Sequence, residues 1–452
     1  MNKIMKRMTR KRKMQSAVVA SMLCVMGTIG LCQAAPQNGW VKETSRGNGW
    51  YYYINGNKAY NTWAKSGNDW YYLGDSGEMA TNCFINNDDR YTTEAPDDNT
   101  AEWYYVGSDG KMATGWVEVQ YRQNSPADSK EKEWYYFGGS GVMYSSAWIK
   151  GAASWYYVKE NGVMVTDVIG AKLRDNGDYR YEQDNMFDYI YNKDGVLVTG
   201  WYQDRETNDW YYCDPDGIMY ENRWGYIGNR WYYLGNDGIM YDNETGTHYG
   251  KYGIAEVDGD EFCFSTNGAI MTGWVDVDDD RRIEKWHYFG TSGAHVKNQW
   301  GRINGKWYYL GPTGEMVTGF LKRTKNEKNY TYEAISLPEP AADGVAYYYL
   351  NTKGGAMLTG ALTLYAADGK TIDSEYYFNA DGEMVTEEVH YVTRSGVRTY
   401  CYYGKDGKRV TDLKNTTIWR AANGTYYPAE TAANSADRAY ATVDANGVIR
   451  LK

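Results

Sequence analysis

Hydrophobic and polar positions alternate along this chain in short bursts separated by glycine-rich turns. Trp70-Tyr71-Tyr72-Leu73 is followed by Gly74-Asp75-Ser76-Gly77 and then Met79, and Trp103-Tyr104-Tyr105-Val106 by Gly107-Ser108-Asp109-Gly110 and Met112. Runs of four aromatic and aliphatic residues with period two predict β-strands, and turns rich in Gly, Asp and Asn supply residues that tolerate positive φ. The unit therefore reads as a β-hairpin, with the short Met-x-Thr-Gly-Trp run (Met112 to Trp116) expected as its second strand. Beyond the first 34 residues no sustained i, i+3, i+4 apolar series predicts a helix.

The unit recurs to the C-terminus. Copies begin at Trp50, Trp70, Trp103, Trp134, Trp155, Trp210, Trp231, Trp286 and Trp307, and weaker ones at Tyr189, Phe262, Tyr347, Tyr376 and Tyr402. The turn glycines Gly141 and Gly162, Gly217 and Gly238, and Gly293 and Gly314 are each 21 residues apart, which sets the minimal period. Longer spacings hold polar inserts, among them Asn86 to Ala101, Glu118 to Lys132, Asp242 to Asp260 and Lys322 to Ala346. A single hairpin cannot bury its aromatic face, so successive hairpins must cover one another. The expected fold class is all-β, a solenoid of stacked hairpins of about 20 residues each with inserts.

Composition agrees with this pattern. The 452 residues include 18 Trp, 47 Tyr and 50 Gly, so much of the apolar material is aromatic and no large aliphatic core is encoded. Residues 1–34 read as a secretory signal peptide: seven bases from Lys3 to Lys13, an apolar run from about Ala17 to Leu31, and cleavage expected after Ala34. Removing those seven bases takes the net charge from -10 to -17. So acidic a chain is a poor partner for nucleic acid or an anionic membrane, and no membrane span is expected in the mature chain. Residues 35–320 are rich in paired Trp, whereas 321–452 keep the hairpin signature and lose the pairs, as where Ala361 follows Gly360. Cys83, Cys213, Cys263 and Cys401 are too far apart for metal spacing and stand at hairpin positions elsewhere aromatic or aliphatic, which predicts small buried hydrophobes.

Sixteen Trp fall into eight pairs, one member at a Gly-Trp style position and one opening a Trp-Tyr-Tyr run. The pairs are Trp40 with Trp50, Trp63 with Trp70, Trp116 with Trp134, Trp148 with Trp155, Trp201 with Trp210, Trp224 with Trp231, Trp274 with Trp286, and Trp300 with Trp307. Gly-Trp, a linker, Trp-Tyr-Tyr-Leu, a turn Gly and Met-x-Thr-Gly-Trp together resemble the choline-binding, or type 1 cell-wall-binding, repeats of Gram-positive surface proteins. Related repeats occur in glucan-binding domains of streptococcal glucosyltransferases. The resemblance implies a left-handed superhelix with ligand sites between neighbouring hairpins, each a cage for a quaternary ammonium, which is attracted by the faces of several rings. It also implies that the third ring is the second Tyr of the following motif. By position this gives Tyr72 to the first pair, Tyr105 to the second, Tyr157 to Trp116 and Trp134, Tyr233 to Trp201 and Trp210, and Tyr309 to Trp274 and Trp286.

Ten Met, from Met79 to Met384, recur with the hairpin whether or not Trp is present, which predicts packing. Enzymatic signatures are absent from the sequence. His248, His287, His295 and His390 have no Cys or Ser partner in a nucleophile motif, and His287 replaces a motif Tyr. Asp276 to Asp280 begins like a calcium loop, but Arg281 stands where Gly is required. The expectation is an exported, non-catalytic binding protein without metal or cofactor. Its partner is choline-bearing teichoic acid or another cell-wall polymer, with an α-glucan or host glycan, or an adhesin or stalk role, as alternatives.

Overall fold

The computed structural model describes residues 38–43, 49–86, 91–92, 96, 101–120, 132–174, 186–277, 285–394, 396–422, 424–428, 438–445 and 448–452. The signal peptide and parts of several inserts lie outside the described residues. Among those described there is no helix, and the strands form small antiparallel sheets of two to four strands. The chain divides into two compact units, one of residues 1–225 with 233–240 and one of residues 226–232 with 241–452.

In each unit the repeating element is a hairpin whose first strand carries the Gly-Trp position and whose second carries Trp-Tyr-Tyr. Gly115–Gln120 pairs with Lys132–Phe137, so Trp116 faces Tyr136 and Glu118 faces Trp134. Gly273–Asp276 pairs with Trp286–Phe289 in the same register, Trp274 against Tyr288. The expected strand partner is thereby corrected. The Met run after the turn makes only single bridges, such as Leu73 with Met79, and the main partner of Trp-Tyr-Tyr lies upstream of it. Where the linker is short, a tight turn closes the hairpin: Asn304 and Gly305 both hold positive φ, +49° and +80°, the conformation that matches strand twist.

The Met run joins one hairpin to the preceding one. The Met79 N–H donates to the Trp50 carbonyl at 2.8 Å, Met112 to Trp70 at 2.8 Å, and Met143 to Trp103 at 2.7 Å. The same bond recurs in the second unit from Met316 to Trp286, Met357 to Trp307 and Met384 to Tyr347, each at 2.7 Å. Each Met side chain then lies beneath the turn glycine of the next hairpin. A Cβ on Gly110 would stand 2.6 Å from the Met79 Sδ, in addition to a φ of +74° that disfavours side chains. Met is thus a packing residue, with its sulfur seated under a backbone turn.

The core follows the fourth motif position. Leu73, Val106, Phe137 and Val158 in the first unit, and Phe289, Leu310, Leu350 and Phe378 in the second, are almost wholly buried. All four described cysteines are buried and free, and burial pushes the thiols up, to about 11 for Cys83 and about 12 for Cys263. Hairpins persist past Phe320, with Gly319–Lys325 on Val345–Leu350 and Gly360–Tyr365 on Ile372–Phe378. At the C-terminus a four-stranded sheet ordered Tyr426–Pro428, Thr417–Arg420, Arg438–Val443, Ile449–Leu451 packs aliphatic side chains against Val389 and Tyr402.

Candidate functional site

Six of the Gly-Trp style rings, Trp40, Trp63, Trp116, Trp148, Trp274 and Trp300, stand edge-on between two Tyr rings, one from their own hairpin and one from the next. Trp40 lies 5.0 Å from both Tyr52 and Tyr71. Trp116 lies 5.1 Å from Tyr136 and 5.3 Å from Tyr156. Trp274 lies 5.1 Å from Tyr288 and 5.0 Å from Tyr308. The partner within the hairpin is the Tyr directly opposite in register, and the partner beyond it is the first Tyr of the following motif.

The expected third rings are therefore displaced by one residue. Tyr71 rather than Tyr72 meets Trp40, Tyr104 rather than Tyr105 meets Trp63 at 5.4 Å, Tyr156 rather than Tyr157 meets Trp116, and Tyr308 rather than Tyr309 meets Trp274. Tyr72, Tyr157 and Tyr309 pack on Trp63, Trp148 and Trp300 of their own hairpins, and Tyr233 packs on Trp224 of its own. Tyr105 lies between Phe84 and Phe137. All five are buried. The physical reason is the pleat: neighbours along a strand face opposite sides, so a one-residue slip moves a ring from cleft to core.

Two classes of hairpin result. Where glycine itself precedes Trp at positive φ, as at Gly39, Gly115 and Gly273, all three rings of the trio stay half-exposed: Trp40 with Tyr52 and Tyr71, Trp116 with Tyr136 and Tyr156, and Trp274 with Tyr288 and Tyr308. Trp201 of this class lies 5.1 Å from half-buried Tyr212 and 6.3 Å from Trp210. In the other class a left-handed Asn or Ser stands two residues before Trp, at Asn61, Ser146, Asn222 and Asn298. There the opposing Tyr is buried, and two of its hydroxyls are capped: Tyr233 donates to Asn222 Oδ1 at 2.6 Å and Tyr309 to Asn298 Oδ1 at 2.9 Å. Trp63, Trp148, Trp224 and Trp300 belong to this closed class. Sequence reading missed Tyr52, Tyr71, Tyr136, Tyr156, Tyr288 and Tyr308, because inserts separate the strands of these hairpins and hide the register.

The second Trp of each pair lies diagonally across the hairpin. Trp50, Trp134, Trp210, Trp231 and Trp307 are exposed, and Trp70, Trp155 and Trp286 are half-buried. Facing three of them is a lysine two residues after the Gly-Trp ring, with Lys42 Nζ 5.9 Å from Trp50, Lys65 Nζ 5.7 Å from Trp70, and Lys150 Nζ 5.9 Å from Trp155. At the corresponding positions Glu118 faces Trp134 and Asp276 faces Trp286. A half-exposed cleft walled by three electron-rich rings attracts cations, and the neighbouring charge modulates that attraction.

Comparison with known proteins places these repeats. A family model describing a cell wall binding repeat, of the choline-binding kind, matches residues 61–79, 98–112, 130–143, 146–164, 199–219, 222–240 and 298–316. Every matched segment ends on the residue that hydrogen-bonds the preceding motif: Met79, Met112, Met143, Met164, Met219, Met240 and Met316. Glucosyltransferase-S of Streptococcus mutans is 26% identical over 298 residues, 60% of this chain and 18% of that protein. Glucosyltransferase-I of Streptococcus downei is 24% identical over 338 residues, 68% of this chain and 19% of that protein. The chain thus spans about a fifth of the length of these curated relatives. Among solved structures, the choline-binding domain of CbpL from Streptococcus pneumoniae is 27% identical with a TM-score of 0.32, covering 52% of this chain and 97% of that one. All seven matched segments share the turn glycine and the Met that bonds the preceding motif, and in these segments the chain carries cell wall binding repeats of the choline-binding kind.

Proposed function

We propose that the chain is an exported, non-catalytic binding protein that attaches to a cell-wall polymer by enclosing its quaternary ammonium groups, as choline on teichoic acid presents them. The observation that carries this reading is the half-exposed trio at Trp116, Tyr136 and Tyr156, repeated at Trp274, Tyr288 and Tyr308. Each ring contributes about 0.5 to 2 kcal/mol to holding a cation, so one cleft binds weakly. Several clefts on one chain engaging one polymer give useful attachment through avidity.

Choline titration of the full chain tests the proposal, read by Trp emission and by the unfolding midpoint, which a ligand of the folded state raises by mass action. Tyr156→Ala and Tyr308→Ala are expected to reduce the response, and Tyr157→Phe and Tyr309→Phe to leave it. Unchanged emission and midpoint at millimolar choline would remove the quaternary-amine reading. A response to glucan oligomers in its place, lost when exposed Trp134 or Trp210 is replaced, would favour sugar stacking on those faces.

A further inference from the structure

One cleft of the second unit departs from the ring pattern. Where Tyr252–Val257 pairs with Asp260–Ser265, Ile254 stands at the Gly-Trp position and Cys263 opposite it. Glu261 occupies the motif Trp position, His287 the first Tyr of the next hairpin, and His295 the Met position, its N–H bonding the Glu261 carbonyl at 2.8 Å. Ile254, Glu261, His287 and His295 line a cleft of about 610 Å³, to which the added strand Thr247–Tyr249 and the turn before it also contribute.

The polar groups form a chain. Lys297 Nζ donates to Glu261 Oε1 at 2.6 Å, His295 Nδ1 lies 2.9 Å from Glu261 Oε2, and His287 Nδ1 lies 2.9 Å from His295 Nε2. Burial would push the Glu261 carboxyl up, yet Lys297 and His295 hold it below its ordinary value, so it is ionised and only accepts. His295 therefore carries its proton on Nδ1, and its Nε2 accepts from His287 Nδ1. That leaves His287 Nε2 as an unprotonated acceptor in a residue that lines the cleft. Burial, with His295 alongside, brings His287 down to about 4, so the tautomer chain stands at neutral pH.

We propose that this cleft is a second binding site, distinct from the aromatic trios, for a neutral polyhydroxylated ring such as a hexose unit of a glycan. Such a ring has an apolar C–H face and a rim of hydroxyls that both donate and accept. The cleft supplies the Tyr241 and Tyr249 rings for the first, and Thr245, Thr247, Glu256 and the His287 acceptor for the second. A quaternary amine, with no hydrogen to donate and a need for several ring faces, fits here poorly, because Ile254 stands where the other clefts carry Trp and His287 where they carry Tyr. A divalent cation is disfavoured because the Glu261 oxygens and His295 Nε2 already accept hydrogen bonds within this chain of groups, and the described residues hold no ligand cluster for a metal. Satisfying Glu261 alone does not require this chain. The same replacement recurs at Glu375, where Arg409 at the Met position pairs with the carboxylate at 2.6 Å and no histidine takes part.

Calorimetric titration of the full chain at pH 7 with isomaltotriose, maltotriose and chitotriose tests the proposal. Binding of at least one probe is expected, weakened about tenfold by His287→Phe and about threefold by Thr247→Val or Glu256→Gln, the latter two altering exposed side chains that leave folding intact. Saturating choline should not displace it. Absence of heat with all three sugars overturns the proposal, as does sugar binding that survives all three substitutions or is abolished by Trp116→Ala. Choline binding with no sugar binding would overturn this inference and spare the quaternary-amine reading; the reverse result would do the opposite.

Discussion

Trp116 and Trp40 hold equivalent places, each edge-on to two half-exposed Tyr rings, and they differ in the charge two residues further along the same face: Glu118 at one, Lys42 at the other. Side chains at i and i+2 of a strand are roughly 7 Å apart. Two unit charges at about that distance near a protein surface interact by about 0.6 to 2 kcal/mol before salt screening. The Lys42 ammonium already lies over Trp50, so an incoming cation meets both a rival and a repulsion there. Glu118, although paired with Lys132 at 2.6 Å in an exposed bridge, offsets part of that cost at its own cleft. Exchanging these charges should move affinity in opposite directions: Lys42→Glu gains about threefold to tenfold for choline and Glu118→Lys loses as much, with both effects shrinking in high salt. Site-resolved NMR titration of the Trp side-chain N–H groups would read this, and equal shifts at both sites in all variants would show that the neighbouring charge is irrelevant.

Besides the Trp–Tyr contacts, neighbouring hairpins are joined by a backbone bond from Met and by the seating of a turn glycine on the Met side chain. Gly141 illustrates the double demand, with φ at +81° and the Met112 thioether occupying the place a Cβ would take. An alanine there carries left-handed strain and overpacking together, about 2 to 4 kcal/mol in all. Gly141→Ala should therefore lower the unfolding midpoint of the first unit markedly. Gly139→Ala, two residues away with open space around its Cα, should leave it nearly unchanged and serves as the control. The inserts avoid this seam. The one after Lys325 folds back as Tyr330–Ile335 on the outer edge of Gly319–Lys325, and the one after Asn86 returns as Tyr91–Thr92 on Cys83–Asn86, so added length extends hairpin tips at little entropic cost.

At the scale of the whole molecule, each compact unit depends on hairpins that no single repeat could stabilise, and the second unit ends in an aliphatic sheet around Ile418, Ala441 and Ile449 that covers the last hairpin. That unit also contains the buried His287 and His295. An unfolded imidazole titrates near 6.5, whereas burial and the neighbouring His295 bring folded His287 to about 4. Between those values the folded state binds fewer protons than the unfolded chain. The stability contributed by the neutral imidazole is thus complete above about pH 6.5 and is lost progressively as pH falls toward about 4. The unfolding midpoint of the second unit should drop across that window, and His287→Phe should flatten the drop; an identical pH profile in the variant would remove His287 as its source. Much of this was legible beforehand. Period-two aromatic runs, turn glycines 21 residues apart and the recurrent Met specify hairpins, repeat length and packing, because local patterning and positive-φ demands are written residue by residue. The eight Trp pairs likewise announce aromatic clefts. Which Tyr completes each cleft depended on strand register, where one residue separates cleft from core, as Tyr156 and Tyr157 show. The division into open and closed trios, and the joining of Glu261, His287 and His295 across 34 residues of chain, arose only when neighbouring hairpins packed, since burial and through-space hydrogen bonds are properties of the stack and not of any one repeat.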